Sequence, residues 1–200
     1  MDRALRIEMA NALSHGLGLI LVLAFSPLLY LKAHGSGIPF LTLAVSLYVF
    51  GLLMVFSFST LYHATQHPVA KGILRIFDHI SIFLLIAGTY LPLVLLHADP
   101  VRAKWLLWTQ WVVILAGLVN KIWFTGRFRL LSSLVYIGLG VMVLAIGEQF
   151  WASIPRDSFY YLVGGGAMYL LGVVFYQFRK WQYNHFIWHL FVLAAAVLHF

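Results

Sequence analysis

Apolar windows near residues 13 to 31, 39 to 64, 73 to 96, 104 to 120, 130 to 147, 159 to 178 and 184 to 200 dominate the 200-residue chain, separated by charged residues or Pro/Gly breaks. A helical span needs roughly 20 apolar residues, so about seven spans use about 140 residues and leave about 60 for connections and tails. No room remains for a soluble domain of any size. The windows are too long for barrel strands and lack sustained apolar/polar alternation, so their backbone groups must be satisfied within helices. The chain is therefore predicted to be an all-α polytopic membrane protein, a single seven-helix transmembrane domain over residues 1–200. Composition agrees: 62% of residues are hydrophobic and only 10% charged, against about 25% charged in an ordinary soluble domain.

Basic residues supply an orientation. One alternate set of connections and tails holds Arg3, Arg6, Lys71, Arg75, Lys121, Arg127, Arg129, Arg179 and Lys180; the other holds Lys32, Arg102, Lys104 and Arg156. By the positive-inside rule this nine-to-four split puts the N-terminus in the cytoplasm and the C-terminus outside. The net charge of +7 is then read as a topology signal in the cell membrane rather than a nucleic-acid surface. Asp2 and Glu8 argue against a cleaved leader, so the first span is expected to stay. Trp105, Trp123, Trp151, Tyr160, Trp181 and Tyr183 fall near span ends, as an interfacial belt would. Gly164, Gly165 and Gly166 read as a close-packing site between helices.

Polar groups inside spans are costly and mark candidate sites. The second span ends Ser59-Thr-Leu-Tyr-His63, the third opens Phe77-Asp78-His79, and the seventh opens Asn184-His185-Phe-Ile-Trp-His189. Four-residue spacing puts Ser59 and His63 on one helix face, and likewise His185 and His189. The orientation places all three groups at one depth, toward the cytoplasm. If those helices adjoin, three imidazoles, a carboxylate and a hydroxyl converge. That is the ligand set of a catalytic-type zinc site with a fourth position open to water; cobalt, iron or nickel would also accept it. Cysteine is absent, so thiolate ligands and cysteine nucleophiles are excluded. Glu8, Asn11 and His15 share a face at the same depth and are expected to support the site from behind. His79 points about 100° away from Asp78 and is expected to pack or support. His67 precedes Pro68 and reads as a solvated loop, and His199 lies about 15 Å up the helix from His189, too far to share one ion. No HExxH, GxSxG or phosphate-binding glycine loop occurs.

These segments, with Ile86-Ala-Gly-Thr-Tyr-Leu-Pro92, Glu8-x-x-Asn11-x-x-x-His15 and the Ala-Ala-Ala-Val-Leu-His-Phe that follows the His185/His189 pair, resemble the hemolysin III family. That family is the bacterial branch of the progestin and adipoQ receptor group, which includes the adiponectin receptors and is distantly similar to the alkaline ceramidases. The resemblance covers essentially the whole chain. It implies seven spans, a cytoplasmic N-terminus, and zinc bound by His63, His185 and His189, with Asp78 contacting the ion or its water and Ser59 beside them.

Three functions follow as expectations. In the first, through the ceramidase resemblance, a zinc-activated water attacks an amide or ester carbonyl of a membrane lipid entering from the inner leaflet. Asp78 serves as base and Ser59 as hydrogen-bond donor. In the second, the zinc is structural and ties spans two, three and seven into a sensor or regulator of lipid state. The third is membrane permeabilisation, as the family's name suggests; it fits less well because the spans are polar mainly at one end.

Overall fold

The computed structural model describes residues 2–178 and 180–200. Arg179, one of the basic residues used for orientation, lies outside them, as does Met1. Among the described residues the chain is helical throughout, with no strand: α1 (Arg3–Gly35), α2 (Leu41–Ala64), α3 (Pro68–His97), α4 (Pro100–Phe124), α5 (Arg129–Val141), a 3₁₀ turn (Met142–Ala145), α6 (Glu148–Ser153), α7 (Arg156–Gln177) and α8 (Asn184–His199). Five of these, α1 to α4 and α7, are long and apolar enough to cross a membrane, while α5 with its 3₁₀ extension and α8 are apolar but shorter. Large apolar side chains face outward along them, among them Leu13 at 69% exposure and Trp105 at 71%. A surface of that kind is stable in lipid rather than water.

Two departures from the sequence reading have local causes. The window 130 to 147 is not one uniform helix, because α5 stops at Val141 and tightens to 3₁₀. Tyr90 of α3 imposes this: its hydroxyl donates toward Leu139 O and Gly140 O, both at 2.8 Å, and accepts from Val143 N at 3.0 Å. A side chain inserted into the backbone ladder ends the regular i→i−4 pattern there. The short α6 was not anticipated at all; Phe150, 1% exposed, anchors it against Tyr90, Val94 and Leu106. The three consecutive glycines do not interrupt α7. A Cβ at Gly165 would collide with the His199 ring, so the packing reading holds at that position, whereas nothing lies within 4 Å of one at Gly166.

Packing order explains why the polar helix ends meet. α1 lies against both α2 and α8, α2 against α3, and α7 against α8. Val22 of α1, Leu52, Val55 and Phe56 of α2, Leu85 of α3 and Val192 of α8 form a shared buried cluster. Glycines let α2 and α3 approach at backbone distance: a Cβ at Gly51 would sit 2.8 Å from Leu85 Cα, and one at Gly88 2.8 Å from Tyr48 Cα. The C-terminal end of α2 and the N-terminal ends of α1, α3 and α8 thus lie at one end of the bundle.

Candidate metal centre

At that end His63, His185 and His189 converge. His185 Nε2 is 3.2 Å from His63 Nε2 and 3.1 Å from His189 Nε2, and one ligand nitrogen from each ring falls within a 4.8 Å group. His63 and His189 are buried, at 3% and 2% exposure. Two nitrogens bound to one tetrahedral zinc at 2.0–2.1 Å would stand roughly 3.3 Å apart. The rings are therefore spaced for a shared ion.

The far sides of the rings determine which nitrogens carry protons. His63 Nδ1 lies 3.1 Å from Glu8 Oε2, and a carboxylate oxygen only accepts, so Nδ1 donates. Lys71 Nζ donates to the same Glu8 oxygen at 2.8 Å and also to the Tyr62 and Thr65 carbonyls, which pins the carboxylate in place. His189 Nδ1 faces the Asn11 carbonyl at 3.1 Å and Ser14 Oγ at 3.2 Å, so it too donates. Both rings then turn an Nε2 lone pair inward, toward His185 Nε2. One proton on His185 satisfies at most part of this arrangement; a cation satisfies all three lone pairs. The donor set fits a divalent metal, and the carboxylate–histidine pairing behind it is the support such sites use.

His15 stacks flat on His189, with ring centroids 3.7 Å apart and planes at 15°, and meets Phe56 edge-on. The Asn11 amide stands 3.5 Å from His63 Nδ1. The α1 trio of Glu8, Asn11 and His15 therefore backs the imidazoles from one helix face. Ser14 and Lys71 do the same work and were missed by sequence reasoning. Ser14, three residues beyond Asn11, was recoverable from helical spacing, but nothing in the sequence reports the reach of Lys71 to Glu8.

Asp78 and Ser59 stand on the wall of an adjoining cavity of about 490 Å³, which His15, His185 and His189 also line. The Asp78 carboxylate lies outside the three-histidine group and 3.7 Å from His79 Nδ1. His79 turns that nitrogen to the Arg75 carbonyl at 2.8 Å, on its own helix. Ser59 Oγ is buried beside the Asp78 carboxylate. His67 sits exposed at the start of α3. His199 Nε2 donates to the Leu162 carbonyl at 3.0 Å, at the far end of the cavity. Between the two ends the walls are mostly apolar, built from Val55, Ile82, Leu85, Ile86 and Val192, with Thr89, Tyr90 and Tyr169 among them.

Comparison with known proteins agrees with this architecture. Residues 4–200 match the family model described as Haemolysin-III related. The chain is 34% identical to Hemolysin-3 of Bacillus cereus, over 100% of this chain and 91% of that protein, and 35% identical to the Hemolysin-3 homolog of Bacillus subtilis, over 96% and 91%. It is 26% identical to the human Monocyte to macrophage differentiation factor, over 77% of this chain and 66% of that protein. No solved structure matches it.

Proposed function

The chain belongs to the Haemolysin-III related family of multi-pass membrane proteins, and we propose that it is a zinc-dependent hydrolase of membrane lipids, cleaving an amide or ester bond at the cytoplasmic leaflet. One observation carries this reading: three imidazoles converge beside the polar end of a largely apolar cavity, with His185 and His189 on its wall. Its volume, about 490 Å³, lies within the range of small-molecule sites, about 300–1,000 Å³.

His63, His185 and His189 would hold the ion. Bound there, a divalent metal supplies Lewis acidity and raises the acidity of water. The chain's own groups do the rest. Asp78 takes a proton from the water that adds to the carbonyl carbon. Ser59 Oγ, buried beside Asp78 on the cavity wall, donates to the carbonyl oxygen as negative charge develops on it. Asp78 then returns the proton to the leaving nitrogen or oxygen as its bond to the carbonyl carbon breaks, giving a fatty acid and an amine or alcohol. Apolar walls hold the acyl chain and exclude bulk water.

The alternative, a structural ion in a membrane regulator, would be favoured by a fourth protein ligand closing the site. Among the described residues the histidine group has three members and Asp78 stands apart from it, which supports an open position. An aqueous pore finds less support, since the cavity between its ends is mostly apolar. In this reading seven spans cross the membrane, α5 and α8 included, with the N-terminus cytoplasmic and the metal end on the cytoplasmic side.

The deciding experiment incubates purified zinc-loaded protein with a panel of amide- and ester-linked lipids and measures released fatty acid. Release by wild type and its loss in Asp78→Asn is expected. Absence of release from every lipid would leave the regulator reading in place.

A further inference from the structure

The cavity's polar end carries more positive charge than its chemistry uses. Arg75 from α3, Lys121 from the end of α4 and Arg129 from the start of α5 all line it, while Asp78 is the one acidic residue among its lining groups. Among the described residues, no carboxylate lies within 4 Å of any of these cations. Lys121 is 4% exposed and its ammonium donates to Ser132 Oγ at 2.5 Å, a neutral partner. Arg129 lies 3.8 Å over the Tyr176 ring, and its Nε is buried without a hydrogen-bond partner.

These three cations gather at one place. The Arg75 guanidinium packs on Gly126, in the connection between Lys121 and Arg129, so closely that a side chain at Gly126 would collide with it. Gly126 also has φ +81°, the left-handed region that favours glycine. Cationic side chains inside a membrane protein normally pair with acidic groups or backbone carbonyls, or mark the path of a substrate or ion. Basic residues that serve only topology sit at the surface and reach outward to headgroups and water. Lys121 is instead enclosed, and all three side chains border the same chamber as Ser59 and Asp78.

We propose that these residues form a phosphate-recognition subsite, and that the lipid taken by this cavity is an anionic glycerophospholipid rather than a neutral one. The inference rests on the lipid-hydrolase reading for the identity of the chamber. Arg75 and Arg129 supply planar multi-donor groups suited to phosphate oxygens and Lys121 a point charge. The acyl chain runs from this end toward Leu93, Trp151 and His199. Along α3 the stretch from Arg75 to Leu93 is about 27 Å at 1.5 Å per residue, close to the roughly 30 Å of bilayer hydrocarbon. The phosphate thereby sets which carbonyl stands beside Ser59 and Asp78.

Native mass spectrometry of the purified, zinc-loaded full chain tests this without requiring turnover. Dioleoyl-phosphatidylglycerol is titrated against dioleoylglycerol, which has the same chains and no phosphate. Wild type is expected to prefer the phospholipid by about tenfold or more. Arg129→Gln and Lys121→Gln are expected to lose most of that preference while keeping dioleoylglycerol binding and metal content, which also reports that they fold. Arg75→Gln provides a third, more exposed probe should Lys121→Gln fail to fold. Equal affinity of wild type for the two lipids would overturn the proposal, as would a preference unchanged in the variants. Inorganic phosphate at millimolar concentration is expected not to displace the phospholipid; full displacement would make this a site for free phosphate and overturn the lipid assignment. A phospholipid preference without hydrolysis of any lipid would sink the enzyme reading and leave the subsite standing.

Discussion

Glu8 Oε2 accepts from His63 Nδ1 at 3.1 Å while Lys71 holds the same oxygen at 2.8 Å. A side chain in the first turns of α1 therefore sets the tautomer of an imidazole at the end of α2, fifty-five residues away. The whole inward geometry of the histidine cluster depends on that proton being on the outer nitrogen.

Replacing Glu8 by Gln removes the charge while keeping the shape. The expected result is a metal affinity lower by about 10–100-fold, the usual cost of losing a carboxylate behind a ligating histidine. Competition against a fluorescent chelator measures it. Unchanged affinity would mean that His63 is not oriented by Glu8.

Tyr90→Phe tests the account of where α5 ends. The substitution removes a hydroxyl that contacts Leu139 O, Gly140 O and Val143 N. Leaving those backbone groups unpaired in a dry interior should cost about 1–3 kcal/mol. Thermal unfolding in detergent is expected to show the loss with metal content intact, because the contact lies away from the histidines.

Much of the site was legible in the sequence because helical spacing is a local property. Ser59/His63 and His185/His189 share faces by arithmetic alone, and the expected alternation of helix directions put them at one end of the bundle, where the structure has them. What was not legible depends on how helices lean on one another. No periodicity reports that Tyr90 reaches across to break the window 130 to 147, that Lys71 folds back onto Glu8, or that Arg75 lies over Gly126. Asp78 illustrates the boundary. Its place at the same end as the histidines followed from the sequence, but that it lies outside the three-histidine group depends on how the helices pack.

Close approach of α2 and α3 is predicted to be what holds His63 and Asp78 at one end. Gly51→Leu or Gly88→Leu forces a side chain against facing backbone, with an expected loss of about 1–3 kcal/mol and occasionally more. Gly138→Ala, where nothing lies within 4 Å of the added carbon, is the matched control and should be neutral or slightly stabilising. Melting temperatures of the three variants decide the point.

The catalytic roles proposed for Asp78 and Ser59 are tested apart from metal binding by a pair of substitutions. Asp78→Asn is expected to reduce fatty-acid release by about 10²–10⁴-fold, the range for losing a general base. Ser59→Ala is expected to reduce it by about 10²–10³-fold, the range for losing an oxyanion donor. Both should keep the metal. Loss of metal in Asp78→Asn would instead make that carboxylate a ligand.

The metal content of the purified chain bears most directly on the central claim. Elemental analysis of wild type is predicted to find about one zinc per chain, with His63→Ala, His185→Ala and His189→Ala each losing it and melting at lower temperature, since metal binding contributes to folding free energy. Zinc retained at wild-type level in all three variants, or a wild-type protein that takes up no divalent metal, would contradict it.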